Sequence, residues 1–464
     1  MLAQQLTAMR AAPAGVDDAS DLAAGFDAAL VDGLARLGEE NAAAVTALAA
    51  AFAGSPLGER VAAAAAAVTA GSPSDADLVA LAGARTALFG AVHDALIGAL
   101  DSALGRERTL WPAERSPAPG RPGAALAWLR ELAITGWRGV DDGLVSAAEP
   151  VVEALLAAPA RRRLAVLLDG FAGELRAGGP LATMAHLPAR RWADLWCRAV
   201  LLDAMDAATD DATDVVEAPE PVSGRLLVLG VDVAEHATAV QVQVHGVLEP
   251  SGGGQAVLVR AAVTAAKVET ITGPAVWTLL RRHPVLLGVL AGRASVEVAG
   301  MPMLPGGELL WDDACATVGE PADPFVTARL HLAGARGGAV APIDRHPVAI
   351  AEPVVLEGYR AGVGTFDLGG ATIAVDTERL PSCGPLTPAL VAGSTACIGL
   401  LRHGADGWQL QPLAVQAKVK RVVTVVSTAD WALGPTDPAV QKAQAKAGDA
   451  VGVLQERAGR LLRK

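Results

Sequence analysis

The chain has 464 residues, 52% hydrophobic and 19% charged, with a formal net charge of −12 at pH 7. That composition excludes a disordered protein, and the length calls for two or three domains, each large enough to bury a core. The charge is uneven: residues 1–224 hold 29 acidic against 17 basic side chains while residues 225–464 hold 21 of each, so the first half repels phosphate backbones and argues against a nucleic-acid partner.

The opening MLAQQLTAMRAAPAG has no basic start followed by an apolar run, so no signal peptide is expected. No window of about 20 residues is apolar and free of charge, so no membrane span is expected either. Cys197, Cys315, Cys383 and Cys397 stand at no metal-like spacing, which fits free, buried thiols in a reducing cytoplasm. There are only 6 Lys, and Asn41 is the sole Asn; this points to a GC-rich bacterial genome.

Residues 18–37 carry Leu22, Phe26, Leu30, Leu34 and Leu37 on one helical stripe. Val45, Leu48 and Phe52 mark a second helix ended by Gly54, and VAAAAAAV at 61–68 a third with a thin apolar face. From Ser74 the pattern strengthens. Ser74 and Asp77 form a capping box, and Leu78, Leu81, Leu88, Val92, Leu96, Leu100 and Leu104 keep helical steps once Arg85 is counted on the stripe. Arg85 is expected to lay its stem along the core and its head in water; His93 falls one position off.

Residues 106–123 are rich in Pro, Gly and Arg and read as a long loop, with Trp111 tucked onto the bundle or anchoring a partner. Helices resume at 124–135, 140–157 and 159–177, the last with Pro159 in its first turn and Gly178 past its end. The segment LPARRWADLWCRAVLLDAM at 187–205 places Trp192 and Trp196 one turn apart, a packing hub or a docking face. Arg161–Arg163 and Arg190–Arg191 start helices, where cations oppose the dipole and call for acidic neighbours or a solvated face.

Asp203 to Gly224 is acidic and Pro-containing, and the periodicity changes across it. The expected division is a helical domain at 1–205, a linker at 206–224, a β-rich domain at 225–434 and a basic C-terminal helix at 435–464. Leu227, Leu229, Val231 and Val233 alternate, followed by Val240, Val242 and Val244 interleaved with Gln241, Gln243 and His245, then Val257, Val259, Ala261 and Val263. This predicts an antiparallel meander with one wet face. A helical insert at 273–292 should split at Pro284. Further strands are expected at 293–304, 325–333, 348–357, 365–376, 394–403, 408–417 and 419–427, with a hairpin turn at Asp406-Gly407. Residues 439–464 carry six basic against two acidic side chains. The fold class is therefore α+β, an Ala-rich helical bundle followed by a mainly antiparallel β-rich domain and a C-terminal helix.

Catalytic signatures are missing. The sequence holds no GxxxxGK[ST], HExxH or GxSxG. Gly362-Val363-Gly364 lacks the third glycine of a dinucleotide loop, and Asp206, Asp210, Asp211 and Asp214 lack the glycine and closing Glu of a calcium loop. The one arrangement suited to catalysis is Asp344-Arg345-His346 with Cys383 or Cys397 as nucleophile, which needs the His beside a thiol of lowered pKa. Zinc at Cys383, Cys397 and His403 lacks the usual paired ligands. No catalytic, cofactor-binding or metal-binding residue is assigned.

The LPARRWADLWCRAVLL helix and the general plan resemble uncharacterised proteins of GC-rich bacteria encoded beside SWIM-type zinc-finger and MoxR-type AAA+ proteins. That resemblance implies an accessory subunit, with an AAA+ ATPase system among its partners. The expectation is a non-enzymatic, cytoplasmic accessory or scaffold protein. The alternatives are an enzyme with a Cys/His site in the β-rich domain, or a small-molecule binding module.

Overall fold

A computed structural model describes residues 1–111, 123, 125–158, 161–209, 219–235, 239–268, 270–404, 406–419 and 421–447. The chain is α+β, with a helical first part followed by two mixed, mostly antiparallel sheets and a short terminal helix.

The helical part comprises α1 (Ala3–Arg10), α2 (Val16–Asp32), α3 (Glu39–Ala51), α4 (Gly58–Thr69), α5 (Asp75–Leu104), α6 (Leu126–Thr135), α7 (Asp142–Ser146), α8 (Glu149–Leu156), α9 (Arg162–Gly178) and α10 (Ala189–Thr209). Periodicity places α5 as expected because both its ends are chemically fixed. The Ser74 hydroxyl accepts the Asp77 N–H, the Asp77 carboxylate accepts the Ser74 N–H at 2.8 Å, and Gly105 closes the helix at φ 65°, where a side chain would be strained. The expected helix at 140–157 is instead two short ones, and α1 had no predicted counterpart.

The helical core gathers Phe26, Leu30, Leu81, Trp137, Trp192 and Trp196. The Trp192–Trp196 face is bundle core rather than an open docking face: the Trp196 indole N–H donates to the Leu129 carbonyl at 2.8 Å, and Trp192 packs edge-on to Trp137. Arg85 departs furthest from expectation. It is fully buried, head included, against Asp27. Arg163 and Arg191 do find acids, Asp344 and Glu174.

Both ends of the expected linker are in regular structure. Asp203 is buried in α10 and accepts the Leu126 N–H at 3.0 Å at the start of α6; α10 continues to Thr209, and the first strand already begins at Glu220. Asp210, Asp211 and Asp214 lie outside the described residues.

The first sheet contains β1 (Glu220–Glu235), β2 (Ala239–Pro250), β3 (Val257–Ala266), β4 (Ala294–Met303), β5 (Glu308–Leu309) and β6 (Ala316–Pro321), ordered β1-β2-β3-β5-β4-β6. Strand β1 also bonds β4, so the sheet closes into a ring with β6 appended. The meander β1-β2-β3 forms as expected, but its wet face is incomplete: Gln241 is exposed while His245 is buried. The insert splits at Pro284 into a 3₁₀ turn (Gly273–Leu280) and α11 (Pro284–Gly292), whose Leu286, Leu287 and Leu290 join Trp277 in the ring's core.

Residues 325–333 are not a strand. Asp323 accepts the Phe325 and Val326 N–H groups and Pro324 occupies the first turn, so α12 (Pro324–His331) forms instead; here capping overrides the apolar alternation. The second sheet holds β7 (Glu352–Glu357), β8 (Arg360–Ala361), β9 (Thr365–Asp367), β10 (Thr372–Val375), β11 (Ser394–Gly404), β12 (Gly407–Val419) and β13 (Val422–Ser427), with α13 (Pro388–Ala392) between β10 and β11. Its order is β7-β11-β12-β10-β9-β8, with β13 also on β12. The β-rich part is thus two sheets, packed together through Leu229, Val247, Phe325, Ile398 and Ala414. Gly230 permits the approach, since a Cβ there would meet the Leu413 Cβ at 2.6 Å.

After the sheets comes α14 (Pro438–Ala447); the rest of the expected tail helix lies outside the described residues. Helix α5 is long and apolar enough by length and composition to cross a membrane, although none was expected. Its first half packs in the helical core, and its second half, with Leu96, Ile97 and Leu100, packs with α1 on the second sheet.

Candidate functional site: a cavity between the helices and the second sheet

A cavity of about 570 Å³ opens where α1, α2, α5 and α10 meet β10 and the β11–β12 hairpin. The apolar part of its helical wall is formed by Leu6, Met9, Val16, Val92 and Leu96. Ile373 and Trp408 face it from the sheet. The Trp408 ring is fixed by its indole N–H, which donates to the Met9 carbonyl at 3.2 Å, and by the edge-on His403 ring 5.2 Å away. The polar side chains are Arg10, Asp17, Ser20, Arg190, Thr372, His403 and Asp406. An apolar pocket with a few converging polar groups is the usual form of a small-molecule site.

Arg190 stands out among these groups. Its guanidinium carbon lies 4.7 Å from the centre of the Phe89 ring, and among the described residues its side chain forms no hydrogen bond and no ion pair. Burial lowers its pKa and the nearby Arg85 adds to that, with Asp27 and Asp194 acting the other way. Burial lowers the His403 imidazole too, with Arg190 as the next cause and Asp17 opposing. The two groups therefore sense each other across the cavity, where Arg10 and Arg190 are the two cations in the lining.

Beneath Arg190 lies the network that positions it. Arg85 grips Asp27 with two hydrogen bonds, Nε to Oδ1 at 2.5 Å and Nη2 to Oδ2 at 3.1 Å, and Nη2 also donates to the Arg190 carbonyl at 3.1 Å. The backbone that carries Arg190 is thus tied to a buried, bidentate ion pair. Asp194 completes the group, 3.6 Å from Arg85 Nη1 and 3.5 Å from His346 Nε2. His346 packs on Phe89 with ring centroids 4.6 Å apart and accepts the Val348 N–H on Nδ1. Burial lowers its pKa to about 4, so it sits neutral in the wall.

The sequence-derived Cys/His pair is not assembled. His346 hydrogen-bonds neither thiol: Cys397 Sγ contacts the Ile398 carbonyl inside the second sheet's core, and Cys383 lies in the first sheet's core. Burial pushes the Cys383 thiol up to about 12 and Cys397 up as well, the reverse of an activated nucleophile. Asp344 instead pairs with Arg163, and Arg345 with Asp94. Cys383, Cys397 and His403 are likewise not a metal site; among the described residues no group of three His, Cys, Asp or Glu side chains could hold a metal ion.

Sequence reasoning singled out Arg190, His346 and His403 but not what joins them. Arg190 was visible only as an ill-placed cation at a helix start, and Trp408 only as the first position of the strand expected at 408–417. No family model, no curated protein and no solved structure matches this chain, so the functional reading rests on the geometry of this cavity.

Proposed function

We propose that this chain is a non-enzymatic binding protein that holds a small organic anion, with an apolar or aromatic body, in the cavity between its helices and its second sheet. Arg190 carries the reading: a partly desolvated guanidinium with no hydrogen bond or close ion pair among the described residues is costly, and a ligand carboxylate would match it. The ligand's body would lie on Met9, Leu96 and Trp408, where about 25 cal/mol per Å² of buried apolar surface favours binding. The test is calorimetric titration of the full chain with aromatic and aliphatic carboxylates chosen by a melting-temperature screen. Binding should weaken ten- to a hundredfold in Arg190→Gln, the share of a charged hydrogen bond. A screen without hits, or hits indifferent to Arg190→Gln, sinks the proposal.

An accessory role among other cytoplasmic proteins remains compatible with this, and one observation favours it. Strand β13 pairs only with β12 among the described strands, and its Val422 and Val423 are 65% and 57% exposed, a form suited to strand addition by a partner. The resemblance of the α10 segment directs the search toward an AAA+ ATPase system. A partner recovered by affinity purification should be lost in Val423→Lys; its retention there removes β13 from the interface.

A further inference from the structure

A second polar site lies away from that cavity, where the end of α5 meets both sheets. Past Gly105 the chain runs beside residues 336–338, with the Thr109 N–H donating to the Gly337 carbonyl and the Gly337 N–H to the Glu107 carbonyl. This places Arg106 and Arg108 over Glu352 of β7: Arg106 Nη1 donates to Oε2 at 2.9 Å, and Arg108 Nη1 lies 3.1 Å from Oε1. Arg108 also holds Asp101 through Nε and Nη2. Burial opposes the Glu352 charge, but Arg108 and Arg106 overcome it and hold the carboxyl at about 2. Both acids are therefore fully matched.

Next to this network is a cavity of about 50 Å³ bordered by Arg108, His245, Arg260, Gly338 and Glu352. His245 and Arg260 are register partners on β2 and β3, so both side chains leave the same face of the sheet. Arg260 forms no ion pair among the described residues, although Glu308 is its register neighbour on β5. His245 is 4% exposed, and its Nε2 has no hydrogen-bond partner among them. Around the cavity Arg106, Arg108, Arg260 and Arg402 thus stand against Asp101, Glu352 and Asp232, which leaves one cation in excess and one buried ring nitrogen without a hydrogen bond. The volume exceeds the 10–15 Å³ or so that a single water requires, and a guanidinium without an ion pair beside an imidazole whose Nε2 donates in the Nε2–H tautomer suits a compact anion.

We infer that this seam binds one small inorganic oxyanion, of the phosphate or sulfate class, between Arg260 and His245. The anion would tie the end of α5 to both sheets at once, and so would stabilise the fold by mass action rather than serve as a substrate. The inference is independent of the organic ligand proposed above.

The experiment is isothermal titration of the full chain, freed of phosphate and sulfate by dialysis, with sodium phosphate and separately with sodium sulfate, alongside melting curves in each. Saturable binding of one anion per chain is expected, with a melting temperature that rises with its concentration. Arg260→Gln should weaken it at least tenfold, whereas Arg190→Gln leaves it unchanged. Lack of saturable binding overturns the inference, as does equal affinity in Arg260→Gln or a loss confined to Arg190→Gln. Should Arg260→Gln fail to fold, His245→Phe decides: at least threefold weaker binding supports the site, and unchanged affinity overturns it.

Discussion

The first sheet draws the cover of its core from within the β-rich part of the chain, whereas the second borrows its cover from the other end of the chain. In the closed strand ring the core is filled mainly by Trp277, Leu280, Leu286, Leu287 and Leu290 of the insert between β3 and β4, with Cys383, Ala429, Trp431 and Ala432 added from the later strands' connections. The second sheet instead lays Ile373, Leu401, Leu410 and Val415 against Leu6, Met9, Leu96, Ile97 and Leu100 of α1 and α5. The change of composition at the linker therefore marks a change of secondary structure, while the cores divide along a different line. One of them runs across it.

The largest test of this difference is to express residues 219–464 alone. The second sheet would lose the apolar cover of α1 and α5, worth on the order of 10 kcal/mol at 1.5–3 kcal/mol for each large side chain, against a typical total stability of 5–15 kcal/mol or so. Hydrogen exchange should show β11 and β12 unprotected while β1, β2 and β3 keep their protection. Equal protection in both sheets would break the comparison. Limited proteolysis of the intact chain between 206 and 224 should accordingly leave the two parts associated.

A smaller effect comes from the buried ion pair that ties α5 to α2 within the helical core. Asp27→Ala leaves the buried Arg85 without its carboxylate and should cost about 3–5 kcal/mol, whereas Asp27→Leu combined with Arg85→Met should recover most of that. Urea unfolding of the three proteins distinguishes a stranded charge from lost packing. If the double variant is no more stable than Asp27→Ala, the pair contributes more than the charge it neutralises.

Acid should then weaken both seams. Burial lowers the His346 and His245 imidazoles from an ordinary 6.5 to about 4. Unfolded, each takes up a proton as the pH falls through about 6.5, while the folded chain resists until about 4. Each site thus withdraws stability over that window, by about 3 kcal/mol once the pH is below both values. Glu352, held at about 2, adds a second loss between about 4.5 and 2. Unfolding free energies measured from pH 7.5 to pH 4 should fall, and His346→Gln should remove its share of the slope. An unchanged slope would show that His346 titrates normally.

How much of this was legible in the sequence depended on whether a signal was local. Helix α5 was readable because Ser74, Asp77 and a long stripe agree, the insert because Pro284 must break it, and the β11–β12 turn because Asp406-Gly407 favours it. Helix α12 was misread because its Val and Leu spacing fits a strand until the Asp323 cap is weighed. The cavity could not be read at all. Arg10, Arg190 and Trp408 come together only through packing between α1, α10 and a distant hairpin, and no spacing rule links them. Arg85 was visible on its stripe, yet its burial depends on Asp27, 58 residues away.

The smallest effect tests whether the first sheet's core is complete without the tail helix. Helix α14 is tied on by local bonds, the Asp437 carboxylate accepting the Ala439 N–H and the Gln441 amide donating to the Pro435 carbonyl. Of its described side chains, Val440 is the one packed against the first sheet's core, and it is only half-buried. Half of a valine's burial is worth about 1 kcal/mol. A chain ending at Asp437 should therefore keep its denaturation slope and lose no more than about that in stability. The deletion also removes six basic and two acidic side chains, so any self-association that weakens with salt should change with it, because exposed charges act on encounter more than on the fold. A loss of several kcal/mol, or a shallower denaturation slope, would mean that the ring cannot close its core without the tail, and the contrast between the two sheets would then be one of degree.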